Sequence, residues 1–565
     1  MTTAENLNLF WASLIVEELV RLGIRLFCIS PGSRSAPLAV AVARHPEAEA
    51  VIAHDERGAA YLAVGYAKAC GKPAAVIATS GTAGANYLPA VVEASEDWTP
   101  LLVLTADRPP ELQDVGANQT IRQGQLFGEF VRQRLTLPCP DEKISPDFLL
   151  SSLDWAVAAA VEKSGPVHIN IMFREPLAPK PTPFSFPTSP AFSRWQQDRN
   201  PFTVYTRPPD TGRETARQIL PLLQNASHPL LIIGRRPPYH DWKAVADLIT
   251  ALQWPTHIDV LHPLRFAELD APLVDERRLL AERPPIDCAL HLGGPFLSKQ
   301  LHTALEANPP QCFVHIDEFP RRTDPGHWVT HRFNAAPETV ARALAEQLPR
   351  RSSLGKTVEW NKEWFSAELC EPAAAFWISR LLPDEHGLFL GNSMPVRDMH
   401  WFAARGRKPR PVGGNRGVSG IDGTVAAAVG FARGLAAPTT LLIGDLALLH
   451  DLNSLLLAAR SPSPMTIVVV NNNGGGIFAF LPIADYAEYN DYFQTPHGLR
   501  FKKTAELFGL DYEQPQSVEA FKAAFQRALT SGRSTLIEVV SDPRENLQAH
   551  RKIEEAIRQS RGNNS

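Results

Sequence analysis

The chain has 565 residues, 44% of them hydrophobic and 21% charged, an ordinary globular balance with enough apolar material for several cores. At roughly 150 residues per domain, this length predicts about three or four domains. Lysine and arginine number 56 and aspartate and glutamate 60, and the resulting net charge of −4 excludes the strongly basic field of a nucleic-acid-binding protein.

The N-terminal segment MTTAENLNLFWASLIVEELVRLGIRLF has apolar residues at helical spacing and no basic residue before Arg21, unlike a secretory signal. No run reaches the roughly 18 apolar residues that span a bilayer. Six cysteines lie far apart without a CxxC pair, which argues against a disulfide framework or a thiolate zinc site. We therefore expect a soluble, cytoplasmic protein with no membrane insertion and no nucleic-acid partner.

From residue 10 to about residue 180, short apolar strands alternate with helical stretches. The predicted strands are GIRLFCIS, VIAHDE, PAAVIAT and PLLVLTA, and the helices between them include APLAVAVARH and RGAAYLAVGYAKACG. Alternation of this kind predicts a parallel, doubly wound sheet. We take residues 1–180 as the first domain.

The rest of the chain repeats this alternation after a proline-rich interval. Residues 181–212 have too much proline for regular structure and are predicted to be a linker. A second α/β domain, 213–352, contains the strands HPLLIIGR, THIDVL, CALHLGG and CFVHID, and a third, 353–565, contains GLFLGN, TTLLIGD, MTIVVVNNN and STLIEVV. The predicted fold class is α/β, with three doubly wound parallel-sheet domains.

The clearest chemical pattern lies in the third domain. The strand TTLLI ends in Gly444-Asp445, and after one helical stretch the strand MTIVVV ends in Asn471-Asn472-Asn473 followed by three glycines. One strand–helix–strand crossover places both ends at the carboxyl edge of a parallel sheet. A carboxylate, an amide oxygen and backbone carbonyls suit Mg²⁺. The alternative is that Asp445 caps a helix and the Asn/Gly run is a turn.

A second pattern, His54-Asp55-Glu56-Arg57-Gly58, closes the strand VIA and opens a helix. A carboxylate at this position commonly caps the helix and interacts with its dipole. The functional alternative is a buried glutamate that binds a ring nitrogen of a heterocycle.

Together, the GD…NN pair and the strand-end glutamate resemble the thiamine-diphosphate-dependent enzymes of the decarboxylase group. This resemblance implies the order pyrimidine-binding domain, middle domain and diphosphate-binding domain. It also implies a homodimer or homotetramer in which the cofactor binds between the first domain of one subunit and the last domain of another.

Several longer stretches resemble one branch of that group. They are PGSRSAPL, TSGTAGANYLPAVVEA, TADRPPEL, GANQTIRQ, GNSMPVRD and NRGVSGIDG. The resemblance is to the enzymes that make 2-succinyl-5-enolpyruvyl-6-hydroxy-3-cyclohexene-1-carboxylate for menaquinone or phylloquinone. It implies decarboxylation of 2-oxoglutarate and 1,4-addition of a succinyl carbanion equivalent to isochorismate, which would make the chain a transferase.

The same resemblance assigns roles at the cofactor. Glu56 would hydrogen-bond the pyrimidine ring, and Asp445, Asn472 and the Gly474 carbonyl would hold Mg²⁺ or Mn²⁺ on the diphosphate. Thiamine diphosphate would supply the carbanion chemistry. Further cofactor contacts are expected from Ser393, Ile421, Leu446, Ile477 and Phe478.

Both implied substrates carry two carboxylates, which favours planar, bidentate cations in the site. The matched stretches supply Arg34, Arg108, Arg397 and Arg416, with Ser33, Gln119 and Ser393 as neutral partners. If GNSMPVRD enters a helix, Ser393 and Arg397 share one face. Lys299 would add a point charge toward isochorismate. Gln300 follows it where relatives can carry a Lys-Arg pair, so a substrate contact by Gln300 stays open.

Three alternatives remain. Another thiamine-diphosphate carboligase, of the acetolactate-synthase type, would use small neutral acceptors, which the excess of arginines in the motifs disfavours. A non-catalytic, ligand-binding relative is disfavoured because Glu56, Asp445 and Asn472 are present together. A nucleotide-binding Rossmann protein is disfavoured because no GxGxxG motif opens a helix after the first strand.

Overall fold

The computed structural model describes residues 4–206, 211–349, 361–406 and 408–562, which form three parallel β-sheets with intervening helices. The α/β class predicted from the sequence is therefore confirmed. The backbone divides into two compact units. The first unit comprises residues 1–207, 415–436 and 447–463, and the second comprises 208–414, 437–446 and 464–565.

The first sheet lies in the first unit and has six parallel strands in the order β2-β1-β3-β4-β6-β5. Because all six run in one direction, their carboxyl ends meet at one edge. The strands are β1 (Leu26–Ile29), β2 (Glu49–Ile52), β3 (Ala74–Ala78), β4 (Leu101–Asp107), β5 (Gln133–Leu137) and β6 (Pro166–Met172).

The second unit contains two more parallel sheets. The middle sheet has the order β11-β10-β9-β7-β8, and the last sheet has the order β13-β12-β14-β15-β17-β16. The middle strands are β7 (Pro229–Ile233), β8 (Thr256–Ile258), β9 (Cys288–Leu292), β10 (Cys312–Asp317) and β11 (His331–Asn334). The last strands are β12 (Gly387–Leu390), β13 (Val412–Gly414), β14 (Thr439–Gly444), β15 (Met465–Asn471), β16 (Asp511–Glu513) and β17 (Thr535–Val540).

The α-helices follow the strands in chain order. The α-helices among and directly after the strands of the first sheet are α1 (Leu7–Arg21), α2 (Ala36–Arg44), α3 (Glu56–Cys70), α4 (Thr82–Ala85), α5 (Leu88–Glu96), α6 (Pro146–Glu162) and α7 (Pro190–Gln197). Those of the middle region are α8 (Gly212–Gln224), α9 (Trp242–Leu252), α10 (Glu276–Glu282), α11 (Lys299–Ala307) and α12 (Pro337–Gln347).

The remaining α-helices belong to the last third of the chain, and short 3-10 turns connect several elements. The helices are α13 (Glu371–Leu381), α14 (Met394–Phe402), α15 (Thr424–Leu435), α16 (Asp445–His450), α17 (Leu455–Ala459), α18 (Lys502–Phe508), α19 (Val518–Thr530) and α20 (Pro543–Gly562). The 3-10 turns are Pro110–Leu112, Gln123–Gln125, Gly128–Phe130, Pro263–Phe266, Lys362–Phe365, Leu452–Ser454, Gly476–Phe480 and Pro482–Asp485, and Tyr489–Gln494 is a π-turn.

The first and last sheets have the same strand order when each is counted from its own first strand. In both, the second strand lies on one side of the first and the remaining strands on the other. The chain therefore reverses its winding direction at β1 and again at β12. In open α/β sheets such a reversal, at the carboxyl ends of the strands, is where ligands bind.

Helices α3 and α15 pack closely within the first unit. A Cβ atom on Gly65 would lie 1.9 Å from the Ala427 carbonyl oxygen, and one on Gly430 would lie 1.9 Å from that of Leu62. Only glycine fits where two helix backbones approach this closely. Since α3 begins at Glu56, this contact fixes the helix that carries the predicted glutamate.

The proline-rich interval is not irregular throughout. Helix α7 lies inside residues 181–212, so the expectation of no regular structure there is wrong. Ser189 caps the helix by accepting a hydrogen bond from the Phe192 amide at 2.8 Å. Phe192 and Trp195 are buried in the first core, and the Trp195 indole donates to Glu18 at 2.6 Å. Two buried aromatic rings outweigh the proline content of the interval.

Three further expectations are corrected. The strand predicted over VIAHDE ends at Ile52, and β2 is an exposed edge strand. The helix predicted after Asp445 is broken after His450, where Asp451 accepts hydrogen bonds from the Ala426 amide and the Ser454 hydroxyl. No strand was predicted at β5, β6, β11, β13 or β16. The boundary expected at 352/353 lies outside the described residues.

All six cysteines are free thiols. In the described part of the chain, no helix is both long enough and apolar enough to cross a membrane.

Candidate active site

Glu56 is the first residue of α3, at the carboxyl edge of the first sheet. The helix cap is its neighbour Asp55, whose side chain accepts a hydrogen bond from the Arg57 amide at 2.9 Å. Glu56 is half-buried, and within residues 4–206 and the other described ranges its carboxylate has no hydrogen bond or ion pair. The capping role that the sequence left open therefore belongs to Asp55, and the Glu56 carboxylate is available for another partner.

Side chains beside Glu56 hold the start of α3 to the last residue of α16 and to the turn after it. The Arg57 guanidinium donates to the His450 carbonyl oxygen at 2.6 Å, and the Asn453 amide donates to Asp55 at 3.3 Å. These contacts lie within the first unit. They fix the backbone on both sides of the Glu56 side chain.

Two of the predicted arginines lie close together at the same edge. Arg34, 5% exposed, donates to the Phe173 carbonyl oxygen at 2.8 Å, and Arg108 follows β4. Burial and the neighbouring Arg108 charge lower the pKa of Arg34. In both guanidinium groups the buried Nε has no hydrogen-bond partner among the described residues. Two adjacent cations with unpaired donors make this edge suitable for a carboxylate.

Gln119 and Ser33 lie at the same edge of the sheet. The Gln119 amide donates to the Ser80 carbonyl oxygen at 2.9 Å, next to the end of β3, and the residue has a φ of 57°. Ser33 is exposed and immediately precedes Arg34. The structure thus brings Ser33, Arg34, Glu56, Arg108 and Gln119 to one sheet edge.

A buried ion pair holds the loop that carries Arg416 and Ile421. The Glu93 carboxylate accepts hydrogen bonds from the amides of Gly417 and Val418, each at 2.9 Å. Lys68 lies 2.8 Å from the same carboxylate. Because both charged side chains are buried and satisfied, this loop has a fixed backbone just after Arg416.

Asp445 lies at the carboxyl edge of the last sheet and is 2% exposed. Its Oδ1 accepts from the Leu446 amide at 2.7 Å, and its Oδ2 accepts from the Gly474 amide at 2.9 Å and from His497 Nε2 at 3.1 Å. Burial raises the pKa of Asp445, and these hydrogen bonds oppose the rise. Asp445 therefore does more than begin α16, since it also holds the end of the neighbouring strand.

Asn472 is oriented by a buried glutamate that the sequence reasoning missed. Its Nδ2 donates to Glu371 at 3.0 Å, and the Ser541 hydroxyl donates to the same oxygen at 3.0 Å. Burial and the nearby Asp398 carboxylate raise the pKa of Glu371 to about 7. The Asn472 Oδ1 is buried without a partner among the described residues. Such an oxygen is unusual in a protein interior and would accept a hard cation.

The backbone after Asn472 depends on glycine. Gly474 has a φ of 136°, and a Cβ on it would lie 1.8 Å from the Gln494 carbonyl oxygen. Its own carbonyl accepts from the Gly476 amide at 3.0 Å. In the described ranges no group of three or more His, Cys, Asp or Glu side chains could hold a metal ion. A metal here would therefore need the mixed set of carboxylate, amide and carbonyl oxygens.

Ser393 and Arg397 contact each other, but not in the predicted way. Ser393 precedes α14 with a φ of 69°, so it does not share a helical face with Arg397. The expectation of a shared face is wrong because Ser393 belongs to the turn after β12, and the helix begins one residue later, at Met394. The Arg397 guanidinium instead donates to the Ser393 carbonyl oxygen at 2.6 Å, and burial lowers the pKa of Arg397.

The other predicted residues of the second unit have less defined surroundings. Ile477 and Phe478 are half-buried in the 3-10 turn after Gly476, and the Phe478 ring packs edge-on against Phe493 at 5.3 Å. Lys299 is exposed at the start of α11 and, within the described ranges, has no hydrogen bond to another predicted residue. Gln300 beside it is half-exposed.

The chain matches two family models. One, described as thiamine pyrophosphate enzyme, N-terminal TPP binding domain, covers residues 11–126, and the other, described as thiamine pyrophosphate enzyme, C-terminal TPP binding domain, covers 398–539. Among solved structures, the chain is similar to a thiamine diphosphate-dependent 4-hydroxybenzoylformate decarboxylase from Rhodococcus jostii RHA1, with a TM-score of 0.75 at 17% identity over 94% of this chain and 99% of that one. That likeness shows the fold.

Relatives at higher identity decide the family. The 2-succinyl-5-enolpyruvyl-6-hydroxy-3-cyclohexene-1-carboxylate synthase of Rubrobacter xylanophilus is 43% identical over 97% of this chain and 98% of its own length. The protein of the same name from Salinibacter ruber is 42% identical over 98% and 97%. The chain belongs to this synthase family. It is a transferase that depends on thiamine diphosphate, as the motifs indicated, and the comparisons do not favour the acetolactate-synthase alternative.

The sequence reasoning missed several buried charged residues that hold the predicted site residues in place. Lys68 and Glu93 are charged residues inside otherwise apolar helical runs, AVGYAKAC and PAVVEAS, whereas Glu371 begins α13, and all three are buried. A lone charge in an apolar helical run is a signal that could have identified Lys68 and Glu93. His497 has no such signal, because it lies in a polar loop far along the chain from Asp445.

Proposed function

We propose that this chain joins 2-oxoglutarate to isochorismate with loss of CO₂, giving 2-succinyl-5-enolpyruvyl-6-hydroxy-3-cyclohexene-1-carboxylate for menaquinone or phylloquinone. The names and full-length similarity of the two bacterial relatives support the reaction. The observation that carries the proposal is the contrast between two carboxylates, the unpartnered Glu56 and the fully held Asp445. One is suited to exchange a proton and the other to hold a charge in place.

Glu56 is the proposed proton-transfer group. Its carboxylate opens a helix, where the positive end of the dipole favours the anion. With no hydrogen bond or ion pair to any residue that the structure describes, it can hydrogen-bond a ring nitrogen of the pyrimidine and exchange a proton there. When bound, thiamine diphosphate would supply the carbon nucleophile that attacks the keto carbon of the substrate. The rigid contact of α3 with α15 keeps the Glu56 backbone in place.

Asp445, Asn472 and the Gly474 carbonyl are the proposed ligands of Mg²⁺ or Mn²⁺ on the diphosphate. The buried Asn472 Oδ1, which has no hydrogen-bond partner in the described part of the chain, supports this set, because a divalent cation would satisfy it. Asp445 would be the only charged ligand from the protein. The further cofactor contacts that we propose are Ser393, Ile421, Leu446, Ile477 and Phe478.

The arginines are proposed to bind the substrate carboxylates. Within the described ranges, the buried Nε of Arg34 and that of Arg108 have no hydrogen-bond partner, and the Arg108 charge acts on Arg34. Arg397 and Arg416 each follow a strand of the last sheet. Lys299 would add a charge toward isochorismate, and Ser33, Gln119 and Ser393 would supply neutral hydrogen bonds. Each substrate has two carboxylates, so a site with several fixed cations matches both.

The assembly, location and domain limits belong to the same proposal. We infer a cytoplasmic homodimer or homotetramer with the active site between subunits. The domains would be 1–180 for the pyrimidine, 213–352 in the middle and 353–565 for the diphosphate, with a linker at 181–212. Sedimentation velocity with and without cofactor would measure the assembly.

The reaction itself is tested with the purified chain, thiamine diphosphate, Mg²⁺, isochorismate and 2-oxoglutarate. Mass spectrometry should find the adduct, together with one CO₂ per adduct, and omission of either substrate should abolish it. Turnover of pyruvate alone with no adduct would contradict the proposal and favour an acetolactate-type carboligase. The Glu56→Gln variant is the matched control, because any adduct that it still forms does not depend on the proposed proton-transfer group.

A further inference from the structure

A half-buried carboxylate in the second unit, Glu276, contacts side chains from three other segments. Glu276 is the first residue of α10. His257 Nδ1 at the end of the middle sheet lies 2.7 Å from its Oε1, and His400 Nε2 on α14 lies 3.1 Å from its Oε2. The Ser298 hydroxyl, just before α11, donates to Oε2. One carboxylate therefore links four separate segments.

The two histidines depend on Glu276 for their orientation. His257 and His400 are 2% and 4% exposed. The second ring nitrogen of each, His257 Nε2 and His400 Nδ1, has no hydrogen-bond partner within the part of the chain that the structure describes. Glu276 is thus the polar contact that holds both rings, and the nitrogen that faces it carries the proton.

The carboxylate is anionic. Burial opposes its charge, but the His400 and His257 imidazoles and their hydrogen bonds hold the pKa of Glu276 well below its ordinary value. Arg265 adds a positive charge from a further element, and its guanidinium donates to the His400 carbonyl oxygen at 2.5 Å. Removing the charge of Glu276 would leave buried donors without an acceptor, a costly change in a protein interior.

The linked segments carry two of the proposed substrate contacts. Ser298 caps α11 by accepting from the Leu301 amide at 3.0 Å, and Lys299 is the first residue of that helix. His400 lies three residues after Arg397 on α14, which places both on one side of the helix. Glu276 therefore holds the start of α11 to the helix that carries Arg397.

We propose that Glu276 is a positioning residue that fixes the spacing of Lys299 and Arg397 for the acceptor substrate. This rests on the proposed function, in which both cations meet substrate carboxylates. Isochorismate carries one carboxylate directly on its ring and the other on an enolpyruvyl ether of the same ring, so the ring limits the positions at which two cations can meet both carboxylates. The flexible chain of 2-oxoglutarate adapts to small changes. A change in the separation of the two cations should therefore raise the KM for isochorismate and leave the KM for 2-oxoglutarate unchanged.

The test compares Glu276→Gln with a matched control, Glu338→Gln. Glu338 is a buried carboxylate of the second unit whose Oε1 lies 2.8 Å from Arg236 Nε, and this ion pair involves no proposed site residue. Glu276→Gln should raise the KM for isochorismate about tenfold, the effect of a lost charge-assisted contact. The KM for 2-oxoglutarate, kcat at saturating isochorismate and the affinity for thiamine diphosphate should stay within about twofold. Glu338→Gln should leave all four unchanged.

A milder variant keeps the proposal testable if Glu276→Gln does not fold. Ser298→Ala removes the hydroxyl that donates to Glu276 and caps α11 but keeps the Glu276 carboxylate and both histidines, and it should raise the KM for isochorismate about threefold with the other constants unchanged. Unchanged isochorismate KM in folded Glu276→Gln and in Ser298→Ala would overturn the proposal. Equal rises in both substrate constants would also overturn it, because they indicate general destabilisation.

The wild-type protein separates this inference from the proposed function. If the wild type forms no adduct from isochorismate and 2-oxoglutarate, the proposed function itself fails. If the wild type forms the adduct and Glu276→Gln has an unchanged isochorismate KM, only the positioning role fails.

Discussion

The first and last sheets have the same strand order, and each presents a carboxylate at its carboxyl edge in a different environment. Glu56 is half-buried and has no hydrogen bond or ion pair within the described residues. Asp445 is 2% exposed and accepts from two backbone amides and from His497. One topology therefore supports a free carboxylate at one edge and a fixed carboxylate at the other.

This difference follows from what each group is proposed to do. A group that exchanges a proton gains from having no competing protein partner, since every such bond would favour one protonation state. A metal ligand gains from being oriented before the metal arrives, which is what the amides of Leu446 and Gly474 achieve for Asp445. The neighbouring residue takes the structural role in the first case, because Asp55 caps the helix in place of Glu56.

The largest effect is expected at the free carboxylate. Glu56→Gln keeps the size of the side chain but cannot accept the ring proton, so kcat should fall roughly 10²-fold or more while cofactor still binds. Steady-state kinetics at saturating thiamine diphosphate measure this. Asp55→Ala is the control and should cost about 0.5–2 kcal/mol of stability with little loss of turnover. Near-wild-type kcat in Glu56→Gln would contradict the proton-transfer role that distinguishes Glu56 from Asp445.

The fixed carboxylate should respond differently. Asp445→Ala removes the only charged protein ligand of the proposed metal, so the apparent affinities for Mg²⁺ and thiamine diphosphate should fall together, by roughly 10²-fold. Excess Mg²⁺ should restore part of the activity, which it cannot do for Glu56→Gln. Calorimetric titration of cofactor at several Mg²⁺ concentrations checks this. An unchanged titration would mean that Asp445 only begins a helix.

Arg397 tests whether the last sheet also binds substrate. Arg397→Lys keeps the charge but loses the bidentate geometry, so kcat/KM should fall about 10- to 150-fold. Thiamine diphosphate affinity should hardly change, because the lost contact is to substrate. Titration of each substrate and of the cofactor distinguishes a contact of Arg397 with substrate from a contact with the cofactor. If cofactor affinity falls and both substrate constants stay constant, Arg397 contacts the diphosphate.

The smallest effect concerns the orientation of a single amide. Glu371→Leu removes the acceptor that holds Asn472, and Mg²⁺ affinity should fall about 10- to 100-fold, as expected for a residue that orients a metal ligand. Glu371→Gln keeps one acceptor and should bind Mg²⁺ nearly as well as wild type. The control is Glu538→Gln, because Glu538 holds the adjacent Asn471 at 2.6 Å.

These constants can be measured without turnover, by competition with Mn²⁺ in electron paramagnetic resonance. Equal losses in Glu371→Leu and Glu538→Gln would indicate general loosening of the sheet edge and not an oriented ligand.

Much of this architecture could be predicted because it depends on local patterns. The apolar runs before Asp445 and Asn472 are continuous strands with glycine or asparagine at their ends, and the structure forms β14 and β15 there. Strand β6 was missed because His168 and Asn170 interrupt its apolar run. Both are buried, and the Thr105 hydroxyl contacts His168 Nε2 at 2.7 Å and donates to Asn170 at 2.9 Å, which a sequence pattern does not reveal.

Long-range contacts explain the rest of what was missed. Glu371 lies 101 residues from Asn472, and Lys68 lies 347 residues from Asn415, so no spacing rule connects them. The helix after Asp445 was expected to be continuous, but Asp451 forms hydrogen bonds that a regular helix would not allow. The proposed site residues were found by resemblance, whereas the residues that orient them needed the fold.

The most direct test of the contrast between the two edges is the exchange of the C2 proton of bound thiamine diphosphate into D₂O, followed by quench and NMR. The wild type should exchange it rapidly without any substrate, and Glu56→Gln should exchange it about 10²-fold more slowly with the cofactor fully bound. Asp445→Ala, at Mg²⁺ concentrations that restore cofactor binding, should exchange it nearly as fast as wild type. Wild-type exchange in Glu56→Gln, or equally slow exchange in both variants, would contradict the separation of roles.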